Sequence, residues 1–395
     1  MKSLYNLKTM AIGALGLLAL PLTAQDMSEV NTDPSSTEPA TETVTEEKEE
    51  EVPSFSLTGY VDAYFQNVFS DGEGGDDTPG TPLGFPTSFT PETRGFGVGN
   101  VNLLAEKSLG KVGFVGQVGF GPRANAANGD FPNLQQLYVT YSPSDAVTFT
   151  LGQFGTFVGY EVIDAPANMN YSTSYLFSYG PFFHTGLKAD FAIAEGFGAM
   201  VGVFNNTDSR FNDPGYHYGA QLSAESGGLA AYLNFLYGTA EKDVNDNDDD
   251  VNEFQIDLTA TYEVSETLMF GINVSDKTTS LDGNTISGNE NGTSFTGAAL
   301  YTTVGVTEGF DLSLRGEYFS VKEDELETNP ADGRSVIGLT ATGNITIGDL
   351  RIMPEVRFDT SSDFDTTNSG DIIGFGGGDN DDSIASFILA AVYSF

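Results

Sequence analysis

Regular alternation of apolar and polar residues, from Ser54 to the end of the chain, is the feature that most constrains the fold. A β-strand turns successive side chains to opposite faces, so a period of two predicts strands. One of the clearest segments places Phe310, Leu312, Leu314, Gly316 and Tyr318 on one face and Asp311, Ser313, Arg315 and Glu317 on the other. Charges in every second position would disrupt a soluble core. They are compatible with a barrel wall whose outer face meets lipid and whose inner face meets water.

Sixteen segments show this alternation. Their spans are 54–68, 95–106, 112–121, 133–142, 147–154, 182–193, 197–205, 216–225, 228–238, 252–264, 267–276, 294–306, 309–321, 335–346, 349–360 and 383–395. Most are close to the roughly 9–11 residues that a tilted strand needs to cross a bilayer. The pattern therefore predicts strands long enough to span a membrane.

The connections between these segments alternate between short and long. Tight connections such as 194–196, 264–266 and 347–349 alternate with loops of ten to twenty-five residues, of which 70–94 is the first. Outer-membrane barrels have short periplasmic turns and long outer loops. We therefore predict an all-β fold over 54–395, a transmembrane antiparallel β-barrel of about sixteen strands with its N-terminus on the periplasmic side.

The last predicted strand ends the chain with an aromatic residue. Phe387, Leu389, Ala391, Tyr393 and Phe395 share one face of it. A terminal Phe joined to an aromatic residue two positions earlier resembles the targeting signal that the outer-membrane assembly machinery reads. Tyr393 and Phe395 are therefore the predicted outer-membrane targeting residues, and the barrel-assembly machinery is an expected partner.

Two segments precede the first predicted strand. Residues 1–24 have basic Lys2 and Lys8, an apolar run and a small-residue cleavage site, which is typical of a secretory signal peptide. Residues 25–53 are rich in Glu, Thr, Ser and Pro and have few large apolar residues. Such a composition buries too little surface to offset chain entropy, so we predict a disordered acidic linker.

Composition excludes several classes of function. The net charge of −40 argues against nucleic acid as a partner. With no Cys and with only His184 and His217, the chain lacks the usual ligands of a transition-metal centre. The acidic segments 243–250 and 376–379 leave weak Ca²⁺ binding open, beside the simpler interpretation as solvated loop tips. No nucleophile elbow, phosphate loop or dinucleotide fingerprint occurs, so we expect no enzyme, no catalytic residue, no cofactor and no metal site.

Two blocks of sequence resemble the β-barrel porin-2 (OmpL-like) family. Residues 59–65, Gly-Tyr-Val-Asp-Ala-Tyr-Phe, are similar to its opening strand. Residues 152–161, Gly-Gln-Phe-Gly-Thr-Phe-Val-Gly-Tyr-Glu, are similar to its central motif, which continues through 170–177 and closes at 180–186. The resemblance implies an outer-membrane porin and specifies no solute.

The motif-rich segment 155–181 follows the fifth predicted strand and is therefore the third long outer loop. In general porins the third loop folds into the lumen. The apolar and aromatic residues of this segment would be costly to expose to water, which favours a packed loop. We predict that the segment constricts the pore and carries Glu161 and Asp164 there. A loop that only caps the barrel mouth is the alternative.

Further charged residues fall on inward positions of the predicted strands. With the two loop carboxylates, the predicted pore-lining residues are Asp62, Glu161, Asp164, Lys188, Asp311, Arg315, Glu317, Arg351, Glu355 and Arg357. Arg315 and Arg357 are expected at similar height. A basic wall facing an acidic loop would create a transverse field that selects polar solutes. Pairing of the basic residues with Glu317, Glu355 and Asp359 is the alternative, so ion selectivity remains open.

The predicted function is a porin in the bacterial outer membrane that lets small hydrophilic solutes or ions diffuse passively. A sixteen-stranded barrel encloses room for water. A substrate-specific channel, for an oligosaccharide or an anion, is one alternative, and inward Tyr60, Tyr64, Tyr138, Tyr232 and Tyr301 would be its aromatic ladder. A structural or adhesive surface barrel without an open pore is another. Outer-membrane lipid is the expected surrounding partner, and a homotrimer is expected by analogy with general porins.

Overall fold

The computed structural model describes most of the predicted barrel. The described residues are 54–69, 87–90, 94–128, 131–211, 215–244, 247–287, 294–326, 335–361 and 383–395. The predicted signal peptide, the acidic linker and the acidic segment 376–379 lie outside them, as does part of segment 243–250.

Antiparallel β-strands make up nearly all of the fold. They are β1 (Ser54–Phe69), β2 (Arg94–Leu109), β3 (Val112–Phe120), β4 (Leu134–Ser144), β5 (Val147–Gly155), β6 (Phe183–Ala194), β7 (Phe197–Phe204), β8 (His217–Ser226), β9 (Leu229–Val244), β10 (Asn247–Ser265), β11 (Leu268–Leu281), β12 (Asn284–Ile286), β13 (Phe295–Thr307), β14 (Phe310–Val321), β15 (Ser335–Ile347), β16 (Leu350–Ser361) and β17 (Ser383–Ser394).

Sixteen of these strands form a closed ring. Each pairs with its neighbours in the chain, and β1 closes the ring by pairing with β17 from Tyr60–Ser394 to Phe69–Ala385. The short β12 lies outside the ring and pairs with the upper end of β11. The prediction of an antiparallel barrel of about sixteen strands is confirmed. β12 was not predicted, because three residues are too few to establish a period.

The two faces of the barrel wall differ as the alternation predicts. On β14, Leu314 and Tyr318 are exposed on the outer face, whereas Ser313, Arg315 and Glu317 are buried on the inner face. An outer surface of exposed Val, Leu, Ile, Phe and Tyr side chains matches lipid rather than water.

The two ends of the barrel are unequal. Tight turns join the strands at the end that holds the chain's last residue, as at Glu195-Gly196. Longer connections at the other end carry α1 (Pro122–Asn128), a 3₁₀ turn (Ala165–Ala167) and α2 (Tyr175–Tyr179). Among the described residues, no helix has both the length and the apolar character needed to cross a bilayer.

Inside the barrel, the connection between β5 and β6 packs against the wall. Residues 155–181, called the inner loop below, bury Tyr171 and Tyr175 among inward side chains of β1, β13, β14 and β17. The interior is therefore a packed core on that side, and this core positions the site.

Candidate pore constriction

Arg315, on the inner face of β14, is the main contact between the wall and the inner loop. Its Nη1 donates to the Glu161 carboxylate at 2.7 Å and to the Ser172 carbonyl at 2.6 Å. Its Nε lies 3.4 Å from the Glu317 carboxylate. The guanidinium thus joins two parts of the loop to one strand, and it is fully buried.

Arg357 makes the matching contact from β16. Its Nη1 donates to the Thr173 carbonyl at 2.7 Å, and Arg315 reaches the same carbonyl at 3.3 Å. Its Nε donates to Asp359 at 2.8 Å, and its Nη2 donates to Glu317 at 3.2 Å. The two arginines therefore meet at one carbonyl, in agreement with the similar height expected for them.

Two wall carboxylates accept hydrogen bonds from the loop backbone. Glu355 accepts from the amides of Tyr171 and Ser172, at 2.7 and 3.0 Å. Glu317 accepts from the amide of Tyr175 at 2.7 Å. Charge-assisted bonds of this kind are stronger than bonds between neutral groups. Because they involve backbone amides, they hold the path of the loop whatever side chains it carries.

Asp164 anchors the loop to a second part of the wall, through the side chains of β3 and β4. Its carboxylate accepts from Gln117 at 2.9 Å and from Gln135 at 3.0 Å. Burial raises the pKa of Asp164 above its ordinary value of 3.8, and these two amide donors oppose the rise. The loop is thereby held on two sides of the barrel.

Asp62, on β1, belongs to a third group of contacts. It accepts a hydrogen bond from the Tyr171 hydroxyl at 2.7 Å and lies 3.5 Å from Nη2 of Arg123. Arg123 also stacks over the rings of Phe89 and Tyr171, with its guanidinium carbon 4.8 and 5.1 Å from their centroids. Arg123 was not among the predicted site residues, because it lies on α1, in a loop with no strand period to predict its direction.

Tyr160 packs against the wall at β10, β11 and β13. Its ring stacks on Tyr301 with centroids 4.4 Å apart, and its hydroxyl accepts from Thr261 at 3.2 Å. It fits because Gly271 has no side chain: a Cβ there would lie 2.2 Å from the Tyr160 hydroxyl. An inward glycine within an otherwise regular strand was the sequence signal for this close approach.

The remaining predicted residues lie elsewhere on the inner face. Lys188 pairs with Asp190 at 2.9 Å, and both are partly exposed. Arg351 donates to the Ala165 carbonyl at 2.7 Å. Asp311 is partly exposed near the turn before β14. Among the predicted charges, Lys188 and Asp311 are therefore the wall residues that keep contact with the open lumen.

The inner loop changes the expected environment of the other wall charges. Arg315, Glu317, Glu355 and Arg357 are each at most 4% exposed. They were expected to face water, but the loop covers them and pairs them with carboxylates and backbone groups. The pairing alternative thus describes these contacts, and the basic side chains do not form an open wall.

The inward tyrosines do not form a continuous ladder along a water-filled path. Tyr60 and Tyr64 pack beside Tyr171 of the loop, and Tyr301 is covered by Tyr160. Tyr138 lies in a separate cluster with Phe154. At the lipid face, the predicted targeting residues Tyr393 and Phe395 are about half exposed.

Comparison with known proteins identifies the family. The model of the family described as "Putative beta-barrel porin-2, OmpL-like" matches residues 54–395. No curated protein matches the chain.

Solved structures with the same fold come from several bacteria. An anion-selective porin from Comamonas acidovorans has 14% identity and a TM-score of 0.57, covering 87% of this chain and 100% of that one. The channel DcaP of Acinetobacter baumannii has 14% identity and a TM-score of 0.55, covering 87% and 97%. The trimer form of OmpT from Vibrio cholerae has 11% identity and a TM-score of 0.54, covering 87% and 100%.

These identities show the fold alone, and the family match covers the whole barrel. The chain belongs to the Putative beta-barrel porin-2, OmpL-like family, and it is a porin channel of the bacterial outer-membrane type.

Proposed function

We propose that the protein lets small hydrophilic solutes and ions diffuse passively across the outer membrane, through a lumen that the inner loop narrows. The observation that carries this proposal is the set of contacts made by Arg315, Arg357, Glu355 and Asp164, which hold residues 155–181 inside the barrel from two sides. A loop held at this depth removes cross-section from the pore. Diffusion through the remaining space needs neither a catalytic step nor a cofactor.

Removing the middle of the inner loop tests the proposal. We expect deletion of residues 165–173 to raise single-channel conductance in planar bilayers. A second variant, with the same residues replaced by an equal number of Gly and Ser, keeps the length of the loop and removes its side-chain contacts. Conductance equal to that of the wild type in both variants would show that the loop does not limit flow.

Liposome swelling with sugars of graded size separates the porin from its alternatives. Passive diffusion predicts swelling rates that fall steadily with solute size. A substrate-specific channel would give one sugar a faster swelling rate than its size predicts. A plugged surface barrel would give neither swelling nor conductance. The inner loop packs on inward tyrosines that would have formed the aromatic ladder. This supports passive diffusion rather than an oligosaccharide-specific channel.

We propose that residues 1–24 direct export, that residues 25–53 form an acidic spacer, and that Tyr393 and Phe395 serve recognition by the barrel-assembly machinery. In the assembled protein, lipid surrounds the exposed apolar face. We also propose a homotrimer, because one similar structure is of a trimer form. The mass of the purified protein–detergent complex, corrected for bound detergent, tests that state.

Ion selectivity depends on charges that the loop leaves accessible. Lys188 and Asp190 neutralise each other. Asp311 is partly exposed, and among the predicted residues no cationic side chain other than Lys188 is comparably exposed. We therefore expect weak cation preference, in contrast to the anion-selective porin of similar fold. A reversal potential measured across a salt gradient decides the sign.

A further inference from the structure

The inner loop fills one side of the barrel more completely than the other. Along β13–β17 and β1, it seals two apolar clusters against the wall. Their members include Tyr175, Phe295, Phe319, Tyr171, Met353 and Ile388, each at most 1% exposed. Because this side is packed, a path through the lumen is better placed along the opposite wall, formed by β5–β9, where some inward polar residues are partly exposed.

Along this opposite wall, an outer cavity opens near the long loops. It has a volume of about 340 Å³ and is lined by polar residues that include Asp208, Glu241, Glu253 and Lys277. Below it, towards the short turns, inward polar residues of β6 and β8 are again partly exposed. Lys188 and Gln221 are examples.

An aromatic and apolar cluster separates these two polar regions. Phe154, Met200, Phe204 and Leu236 are each at most 5% exposed, and Phe157 of the inner loop packs on them. The Phe157 and Phe204 rings lie 5.8 Å apart, and the His184 ring lies within 5.0 Å of both.

The order of residues along β9 shows that the cluster lies between the two regions. On its inner face, Ala240 lines the outer cavity, Leu236 lies in the cluster and Tyr232 is partly exposed towards the turn. The neighbouring β8 repeats this order: His217 bonds Glu253 of the cavity, Gly219 lies beneath the cluster, and Gln221 is partly exposed.

Gly219 leaves the space in which the Phe157 and Phe204 rings pack. A Cβ at this position would lie 2.6 Å from both Phe157 and Phe204. The Phe157 side chain belongs to the loop and not to the wall, and its backbone carbonyl accepts a long hydrogen bond of 3.4 Å from Gln221. Phe157 is thus the member of the cluster whose position depends on the loop.

We propose that the solute path follows the β5–β9 wall and that Phe157 and Phe204 form its narrowest point, a hydrophobic constriction that determines which solutes pass. Hydrophobic constrictions exclude water and ions by dewetting. Polar residues on each side hold hydrated solutes, and displacement of Phe157 from Gly219 opens the path between them. This inference rests on the proposed function, since it locates the route of the same diffusion.

Truncation of the two aromatic residues tests the constriction. We expect Phe157→Ala and Phe204→Ala each to raise single-channel conductance severalfold and to admit larger sugars in liposome swelling. Phe319→Ala makes the same truncation on the filled side, and we expect it to leave conductance near that of the wild type. An equal rise in all three variants, or no rise in the first two, would overturn the proposal.

A thiol-accessibility measurement gives a second, independent readout, because the natural chain has no Cys. We expect a charged thiosulfonate reagent to block current through Gln221→Cys and to leave current through Ala299→Cys, on the filled side, unchanged. The reverse pattern would place the path along β13–β17 and overturn the proposal.

The two proposals fail in distinguishable ways. If the loop deletion raises conductance and the Phe157 and Phe204 variants do not, diffusion stands and the route lies elsewhere. If the wild type and every variant are silent in bilayers, passive diffusion itself is wrong.

Discussion

Buried arginine side chains are the costliest residues in the lumen. Removing a guanidinium from water is unfavourable unless its hydrogen bonds and its charge are matched. Arg315 is matched by Glu161, Glu317 and backbone carbonyls of the inner loop. A wall residue and a loop residue therefore depend on each other, which gives the loop a defined position.

Removing the charge of Arg315 should release the loop. In Arg315→Gln, Glu161 and Glu317 lose a buried cationic partner, and breaking such a pair costs about 3–5 kcal/mol. We expect faster protease cleavage within 155–181 and noisier single-channel current. Lys322→Gln is the control, because its pair with Asp276 is 26% and 43% exposed and such pairs contribute about 0–1 kcal/mol. Equal protection of the loop in both variants would contradict the anchoring role.

Asp208, in the loop after β7, should make the local stability depend on pH. Burial is the main cause that raises its pKa from 3.8 to about 6, although the amides of Phe182 and Phe183 donate to it. A raised pKa means that folding favours the protonated form. The stabilisation of the folded state by protonated Asp208 is therefore complete below pH 3.8, and it is lost as pH rises towards about 6.

Hydrogen exchange of the Phe182 and Phe183 amides checks this dependence, after correction for the intrinsic exchange rate. We expect protection to fall over this range in the wild type. Asp208→Asn keeps an acceptor oxygen and removes the titration, so its protection should stay constant. Parallel profiles for the two proteins would show that Asp208 is not the titrating group.

Among the elements, the inner loop is positioned by the shape of the wall as well as by charge. Tyr160 occupies the space that Gly271 leaves on β11, and Ser174 caps α2 by accepting from the Phe177 amide. These contacts are local, but the parts they join are far apart in the chain. A segment that is mostly irregular thus acquires a single path.

Filling the space under Tyr160 should displace this part of the loop. In Gly271→Val, the new side chain would overlap the Tyr160 hydroxyl, because even a Cβ lies 2.2 Å from it. We expect higher conductance and a loop that is cleaved more readily. Gly116→Val is the matched control, since nothing lies within 4 Å of a Cβ there. A wild-type response from Gly271→Val would mean that Tyr160 adapts without moving the loop.

For the whole molecule, the last residue adds to the pairing of β1 with β17 that closes the ring. Phe395 exchanges two backbone hydrogen bonds of 2.9 Å with Gly59 of β1. Its side chain lies on the outer face and is 54% exposed. The backbone of Phe395 therefore contributes to the barrel seam, whereas its ring is accessible for recognition during assembly.

Phe395→Ala separates these two roles because it keeps the backbone. We expect the variant to refold in detergent with a stability close to that of the wild type and to reach the outer membrane of cells at a lower level. Heat-modifiable gel migration and membrane fractionation measure the two quantities. A large loss of stability in detergent would assign the ring a structural role instead.

The expected elements follow from the sequence because strand direction and side-chain direction are coupled. Leu314 and Arg315 occupy successive positions, so one must face lipid when the other faces the lumen. The same rule predicted the inward direction of Glu317, Glu355 and Arg357. It could not predict their surroundings, because the partner of each lies in a loop more than a hundred residues away.

The sequence by itself determined the barrel: the period of two, the alternating connection lengths and the aromatic terminus all act through local geometry. Only the tertiary structure decided what fills the barrel. Arg123 lies on a short helix within a loop, and Tyr160 and Phe157 lie in an irregular segment, so no strand period gives their direction and each side chain is placed by its contacts. The interior charges are buried for the same reason. Closing the ring brings a distant loop against the wall and excludes water from side chains that the alternation pattern alone predicted to face it.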